Sequence, residues 1–139
     1  MATRQATAVW EGTLKEGNGT VSYGKYAQPF NFVSRFEGSD NTNPEELLGA
    51  AHAGCFTMAL NAAMFRAGFN PVKVTTVAKV QLSKGEAGFS ISQIDLECEA
   101  SVPDIDPAKF QEMAEATKDT CIVSRALSAV PMTLVAKLV

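Results

Sequence analysis

Residues 43–67, NPEELLGAAHAGCFTMALNAAMFRA, constrain this chain more than any other stretch. Asn43 is a good helix cap, Pro44 suits the first helical position, and Glu45 and Glu46 complement the positive end of the helix dipole. Gly68 and Pro71 then stop the helix. Between these signals, Ala50, Ala51, Ala53, Gly54, Phe56, Met58, Ala59, Leu60, Ala62, Ala63, Met64 and Phe65 occupy nearly the whole circumference. A helix apolar all round belongs inside a protein. In a small domain it needs a sheet on one side and another partner opposite, for which a second subunit is the natural candidate. A lone cysteine, Cys55, stands near its middle among small residues, where a close neighbour and a narrow pocket can be accommodated.

The rest of the chain fits an α+β domain with mostly antiparallel pairing. At 139 residues it is one domain, 1–139, able to build a core without disulfide staples. Ala6, Ala8, Trp10 and Gly12 share a parity, and Gly17-Asn18-Gly19 reads as a hairpin turn. Phe30, Phe32, Ser34 and Phe36 alternate with Asn31, Val33, Arg35 and Glu37, which predicts a strand bearing Arg35. Residues 72–82 and 89–102 predict two strands joined by 83–88, the second with Ile94, Leu96, Cys98, Ala100 and Val102 on its apolar face. Asp106-Pro107 opens a second helix with Phe110, Met113, Ala114 and Thr117 as its buried stripe. A break near 119–120 precedes Cys121, a short segment follows to Ala129, and residues 132–139 form a last strand.

Composition excludes several function classes. Lys and Arg number 12 against 15 Asp and Glu, a net charge of −3 with no basic run, so nucleic acid is not an expected partner. Glu45, Glu46, His52, Asn61 and Arg66 interrupt the apolar stretch and argue against a membrane span. The first residues lack the apolar core of a signal peptide. With three cysteines, an odd number, this predicts a reducing, cytoplasmic setting without structural disulfides. One histidine and scattered cysteines offer no metal-ligand spacing, and no cofactor is implied. Cys98 reads as a small buried hydrophobe. Cys55 is either another core residue or a reactive thiol. Cys121 precedes Ser124 and Arg125, and amides at the start of a short helix would favour its thiolate. Residue types leave these alternatives open.

Two blocks take the reading further: Ser34-Arg35-Phe36-Glu37-Gly38, and residues 42–56, TNPEELLGAAHAGCF. With Trp10-Glu11-Gly12, residues 84–91 and 102–106, and Cys121-Ile122-Val123-Ser124, they resemble the OsmC branch of the OsmC/Ohr family over the whole length. The resemblance implies an OsmC-like fold: an intertwined homodimer with long buried central helices and two active sites at the subunit interface. It implies a thiol peroxidase reducing organic hydroperoxides and hydrogen peroxide. Cys55 then matches the peroxidatic cysteine, Cys121 the resolving cysteine that closes a disulfide with it, Arg35 the arginine that favours the thiolate and holds peroxide oxygens, and Glu45 the carboxylate that orients it. The implied reductant is an external dithiol, of the lipoyl-bearing kind used in the Ohr branch. Ohr proteins carry their arginine nearer the N-terminus, where this chain has Asn18 and Gly19, so the OsmC branch is the better match. Glu46 is a weaker second carboxylate, and His52 is expected to pack or hydrogen-bond. Ile122 departs from the family's usual proline. The alternatives are a redox-sensing or ligand-binding dimer without turnover, and a structural dimer with inert thiols.

Geometry adds one expectation. Glu45 and Cys55 lie ten residues apart, about 15 Å along a straight helix and on different faces. Either the helix breaks near Gly49, or Arg35 and Glu45 serve the Cys55 of another subunit.

Overall fold

Three strands open the chain as an antiparallel meander: β1 (Ala6–Glu11), β2 (Asn18–Tyr23) and β3 (Tyr26–Phe30). Gly19 pairs with Trp10 on one side and Phe30 on the other. Those two rings, 5.4 Å apart, fill the space a Cβ at residue 19 would need. Asn18 and Gly19 thus lie in the strand, and the turn expected there is formed by residues 12–17, closed by Gly17 N donating to Thr13 O at 2.7 Å.

The strand expected through Phe36 ends at Phe30. Asn31 Oδ1 accepts from Ser34 N (2.8 Å) while Ser34 Oγ accepts from Asn31 N (3.0 Å), a reciprocal cap that starts the short helix α1 (Phe32–Phe36). Phe32 and Phe36 satisfy helical i,i+4 spacing as well as strand alternation, and their rings pack 4.9 Å apart. The cap decides between the two periods, and Arg35 lies on a helix.

The computed structural model describes residues 1–139, in two compact units, Met1–Leu47 and Leu48–Val139. Helix α2 (Pro44–Arg66) begins in the first and continues in the second. Asn43 Oδ1 caps it by accepting from Glu46 N at 2.8 Å. Gly68, at φ +93°, ends it, with Phe69 N donating to Met64 O at 3.0 Å. The helix does not break at Gly49. A Cβ there would stand 3.2 Å from Ala78 O, so glycine lets the helix approach the strand beneath it.

By length and composition alone, α2 could cross a membrane. Its stripe of His52, Phe56, Leu60 and Met64 is instead fully buried in the chain. The opposite face is open: Ala50, Gly54, Asn61, Met58 (76% exposed) and Phe65 (67%). Within one chain, a helix apolar all round buries only one side.

The second unit holds β4 (Lys73–Gly85), β5 (Gly88–Ser101) and β6 (Met132–Leu138). The β4–β5 hairpin is antiparallel and turns through only Glu86 and Ala87, tighter than the six-residue join expected. β6 pairs parallel to β5, and the crossover between them carries α3 (Pro107–Thr120) and α4 (Ile122–Ala126). Ile94, Leu96, Cys98 and Ala100 are all buried on one face of β5, against Phe56, Leu60 and Met64 of α2 and Phe110 and Ala114 of α3. Asp106 caps α3 by accepting from Lys109 N at 3.1 Å. The mixture is α+β with mostly antiparallel pairing, as the residue pattern predicts.

Candidate active site

In the first unit the structure brings Arg35 and Glu45 together. Asn43 Nδ2 donates to Ser34 O (2.9 Å) and Ser34 Oγ donates to Thr42 O (2.8 Å), which ties α1 to the start of α2. Held there, Arg35 Nη2 and Nε reach Glu45 Oε1 at 3.0 and 3.4 Å. The guanidinium also lies over the Phe36 ring, 5.5 Å from its centroid. Both nitrogens use one carboxylate oxygen, and the buried Oε2 of Glu45 has no hydrogen-bond partner in the chain. Arg35 remains 42% exposed at its side chain while Glu45 is almost wholly covered. A buried acceptor orients a cation whose remaining donors are available to an oxygen-bearing ligand. Glu46 is exposed and accepts from Thr42 Oγ1 at 3.0 Å, so it serves the helix start. At the start of α2 lies an apolar cavity of about 260 Å³, lined by Ala8, Val21, Phe30, Thr42, Asn43, Pro44 and Leu47.

The second unit holds the thiols, all free. Cys55 is half-buried on α2, at the boundary between the packed stripe and the open face. Cys121 is buried at the α3–α4 junction, ending one helix through its N–H to Thr117 O (3.0 Å) and capping the next. Its Sγ accepts from Ser124 N at 3.3 Å and its S–H donates to Ser124 Oγ at 3.1 Å. Ser124 Oγ stands 2.8 Å from Nε2 of His52 on α2. Both Ser124 and His52 are buried, and Nδ1 of His52 has no hydrogen-bond partner in the chain. Burial lowers the His52 pKa and keeps the imidazole neutral.

Cys98 differs. It faces the core between Thr76 of β4 and Ala136 of β6, and burial pushes its thiol pKa up, against a smaller lowering by its hydrogen bond to Thr76. That environment suits an inert packing residue. Ile122, where the family pattern has proline, is 77% exposed at the first position of α4, and the helix forms without the preset ring because Cys121 caps it. No group of three or more His, Cys, Asp or Glu side chains is placed to hold a metal ion.

Two parts of this arrangement escape a reading of residue types. Asn31 and Ser34, which place Arg35, carry a local signal in their three-residue spacing, obscured by the phenylalanine alternation. Ser124 carries none: its partner His52 is 72 residues away.

A family model described as "OsmC-like protein" matches residues 37–135. The protein named "Peroxiredoxin OsmC" from Escherichia coli (strain K12) is 46% identical over 129 residues, covering 91% of this chain and 90% of that one. Among solved structures, an OsmC-like protein from Mycoplasma pneumoniae superposes with a TM-score of 0.78 at 17% identity, covering 99% of this chain and 98% of the other. The organic hydroperoxide resistance protein OhrB of Bacillus subtilis gives a TM-score of 0.71 at 25% identity, covering 97% and 98%.

Proposed function

The chain belongs to the OsmC-like protein family, and on that premise we propose that it is a thiol-dependent peroxidase reducing organic hydroperoxides and hydrogen peroxide. One observation carries the reading. A single compact unit holds a half-buried thiol on α2 and a second thiol hydrogen-bonded at the α3–α4 junction, while the third is sealed in the core.

The Cys55 thiolate attacks the terminal peroxide oxygen, the O–O bond breaks, and the sulfur becomes a sulfenic acid as alcohol or water departs after protonation. Arg35, oriented by Glu45, faces the peroxide oxygens with its free donors and favours the anionic sulfur. The Cys121 thiol displaces the sulfenic oxygen as water and forms the Cys55–Cys121 disulfide. An external dithiol, of the lipoyl-bearing type, restores both thiols by exchange. The apolar cavity at the start of α2 suits an alkyl chain, which favours organic hydroperoxides as substrates.

The 139 residues act as one domain in a homodimer of a reducing cytoplasm, without membrane or nucleic-acid partners. The open face of α2, with Met58 and Phe65, is an apolar surface suited to a second copy. The unbroken course of α2 favours Arg35 and Glu45 serving Cys55 of the partner subunit.

Single-turnover thiol loss tests the reading, with cumene hydroperoxide and hydrogen peroxide compared across wild type, Cys55→Ser and Cys121→Ser. Wild type should lose two thiols into the Cys55–Cys121 disulfide, Cys121→Ser should stop at the sulfenic acid, and Cys55→Ser should be inert. Equal, slow reaction of all three would make Cys55 a core residue and end the peroxidase assignment.

A further inference from the structure

The contacts joining Cys121, Ser124 and His52 form a continuous path for a proton. Cys121 Sγ lies 3.1 Å from Ser124 Oγ, and Ser124 Oγ lies 2.8 Å from His52 Nε2. The three residues come from α2 and from either side of the α4 start, and all are buried. A hydroxyl both donates and accepts, and a neutral imidazole offers one bare nitrogen. The same contacts therefore support two proton arrangements. In one, the thiol donates to Ser124 and Ser124 donates to Nε2, with the histidine proton on Nδ1. In the other, the ring holds both protons as imidazolium, Nε2–H donates to Ser124, and Ser124 donates to a thiolate.

We propose that His52, acting through the Ser124 hydroxyl, takes the proton of Cys121 as this thiol closes the disulfide with Cys55. The proposal rests on the peroxidase reading above and assigns a role to two residues that the reading does not use. As the S–S bond forms and the S–O bond of the Cys55 sulfenic acid breaks, the departing electron pair leaves on hydroxide. The Cys121 proton moves to Ser124 Oγ while the Ser124 proton moves to Nε2. The resulting imidazolium gives up a proton to the hydroxide, and water leaves. In reduction the path runs backwards: the external dithiol takes Cys55, and Cys121 recovers its proton from Ser124.

Three observations favour this over a hydrogen bond that only anchors α4. Nδ1 of His52 is buried without a partner, so the imidazole is not locked into one tautomer by a second acceptor. His52 lies one turn before Cys55 on the same helix, so the proton acceptor and the sulfur that loses hydroxide belong to neighbouring positions on one side of α2. Burial keeps the imidazole neutral, the form able to accept. Ser124 touches the reacting sulfur; His52 acts through it, as a positioning residue.

The test resolves the two chemical steps by stopped flow with stoichiometric cumene hydroperoxide. Sulfenic acid is trapped by dimedone, and the disulfide is followed by mass. The variants are Ser124→Ala, Ser124→Thr and His52→Gln; glutamine can hydrogen-bond the serine but takes no proton. The expected result is unchanged formation of the Cys55 sulfenic acid in all of them. Disulfide closure should slow on the order of 100-fold in Ser124→Ala and His52→Gln, and return toward wild type in Ser124→Thr. A merely structural role would slow both steps together or neither, and either pattern overturns the relay. If Ser124→Ala does not fold, the pair His52→Gln and Ser124→Thr still decides, because both retain the hydrogen bond and only one retains the proton acceptor. Wild-type protein that forms no disulfide would overturn the peroxidase reading itself. A wild-type disulfide with closure equally fast in the variants would overturn the relay alone.

Discussion

Met58→Asp tests whether the open face of α2 is the dimer surface on which the active site depends. Met58 is 76% exposed in the chain, so the substitution removes little packing within the protomer. Fully burying such a side chain contributes about 1.5–3 kcal/mol, so covering the exposed three quarters contributes roughly 1–2 kcal/mol per copy. A twofold interface counts each residue twice, giving about 2–4 kcal/mol before the cost of placing two unpaired carboxylates in an apolar seam, itself several kcal/mol. At 1.4 kcal/mol per factor of ten, the dimer should weaken by at least on the order of 1,000-fold. Analytical ultracentrifugation should then show wild type at twice the 14.8 kDa chain mass and the variant at the chain mass. Circular dichroism should be unchanged, and hydroperoxide turnover should be lost in parallel. A variant that is dimeric, or a monomer retaining full turnover, would refute the shared-site geometry; Met58→Leu, which keeps the apolar area, serves as the control.

Phe56→Ala should destabilise the fold by about 3–5 kcal/mol in denaturant titration, since the ring is fully buried between α2, β5 and α3. Asn31→Ala removes one half of the reciprocal cap that starts α1, which should cost about 1 kcal/mol. It should also weaken peroxide turnover more than stability, because α1 aims Arg35 at Glu45. Acid should destabilise the protein through its single histidine. The folded pKa of His52 lies below its unfolded value near 6.5, so the unfolded chain binds the extra proton first. Stability therefore falls as pH drops below about 6.5, by at most about 1.4 kcal/mol per unit until the folded pKa is reached. Thermal unfolding across pH 5–7 should show this slope in wild type and its loss in His52→Gln.

Much of the fold is legible in residue order because its signals are local. Asn43-Pro44 and Asp106-Pro107 open helices by capping, Gly68 closes one, and the alternation from Ile94 to Ala100 picks the buried face of β5; each depends on neighbours a few residues away. The signal fails where two local periods fit the same residues. Phe32 and Phe36 suit a strand or a helical turn, and the Asn31–Ser34 contact tips the balance, moving Arg35 onto a helix. A similar limit holds for α2. Its all-round apolar surface signals that every side needs a cover, while only packing tells which side its own chain covers.

Residue order alone carries the α+β class, the long helix with its lone cysteine and, through the resemblance of two motif blocks, the pair of thiols and the arginine on which the chemistry is proposed. Tertiary structure alone decided that Arg35 reaches Glu45 through one carboxylate oxygen, that Gly49 serves close packing on β4, and that Cys121 is joined through Ser124 to His52. The physical reason is distance along the chain. A cap or an alternating face is a relation between near neighbours. A hydrogen bond between residues 52 and 124 exists only once the sheet has brought two helices together, and nothing at either position announces it.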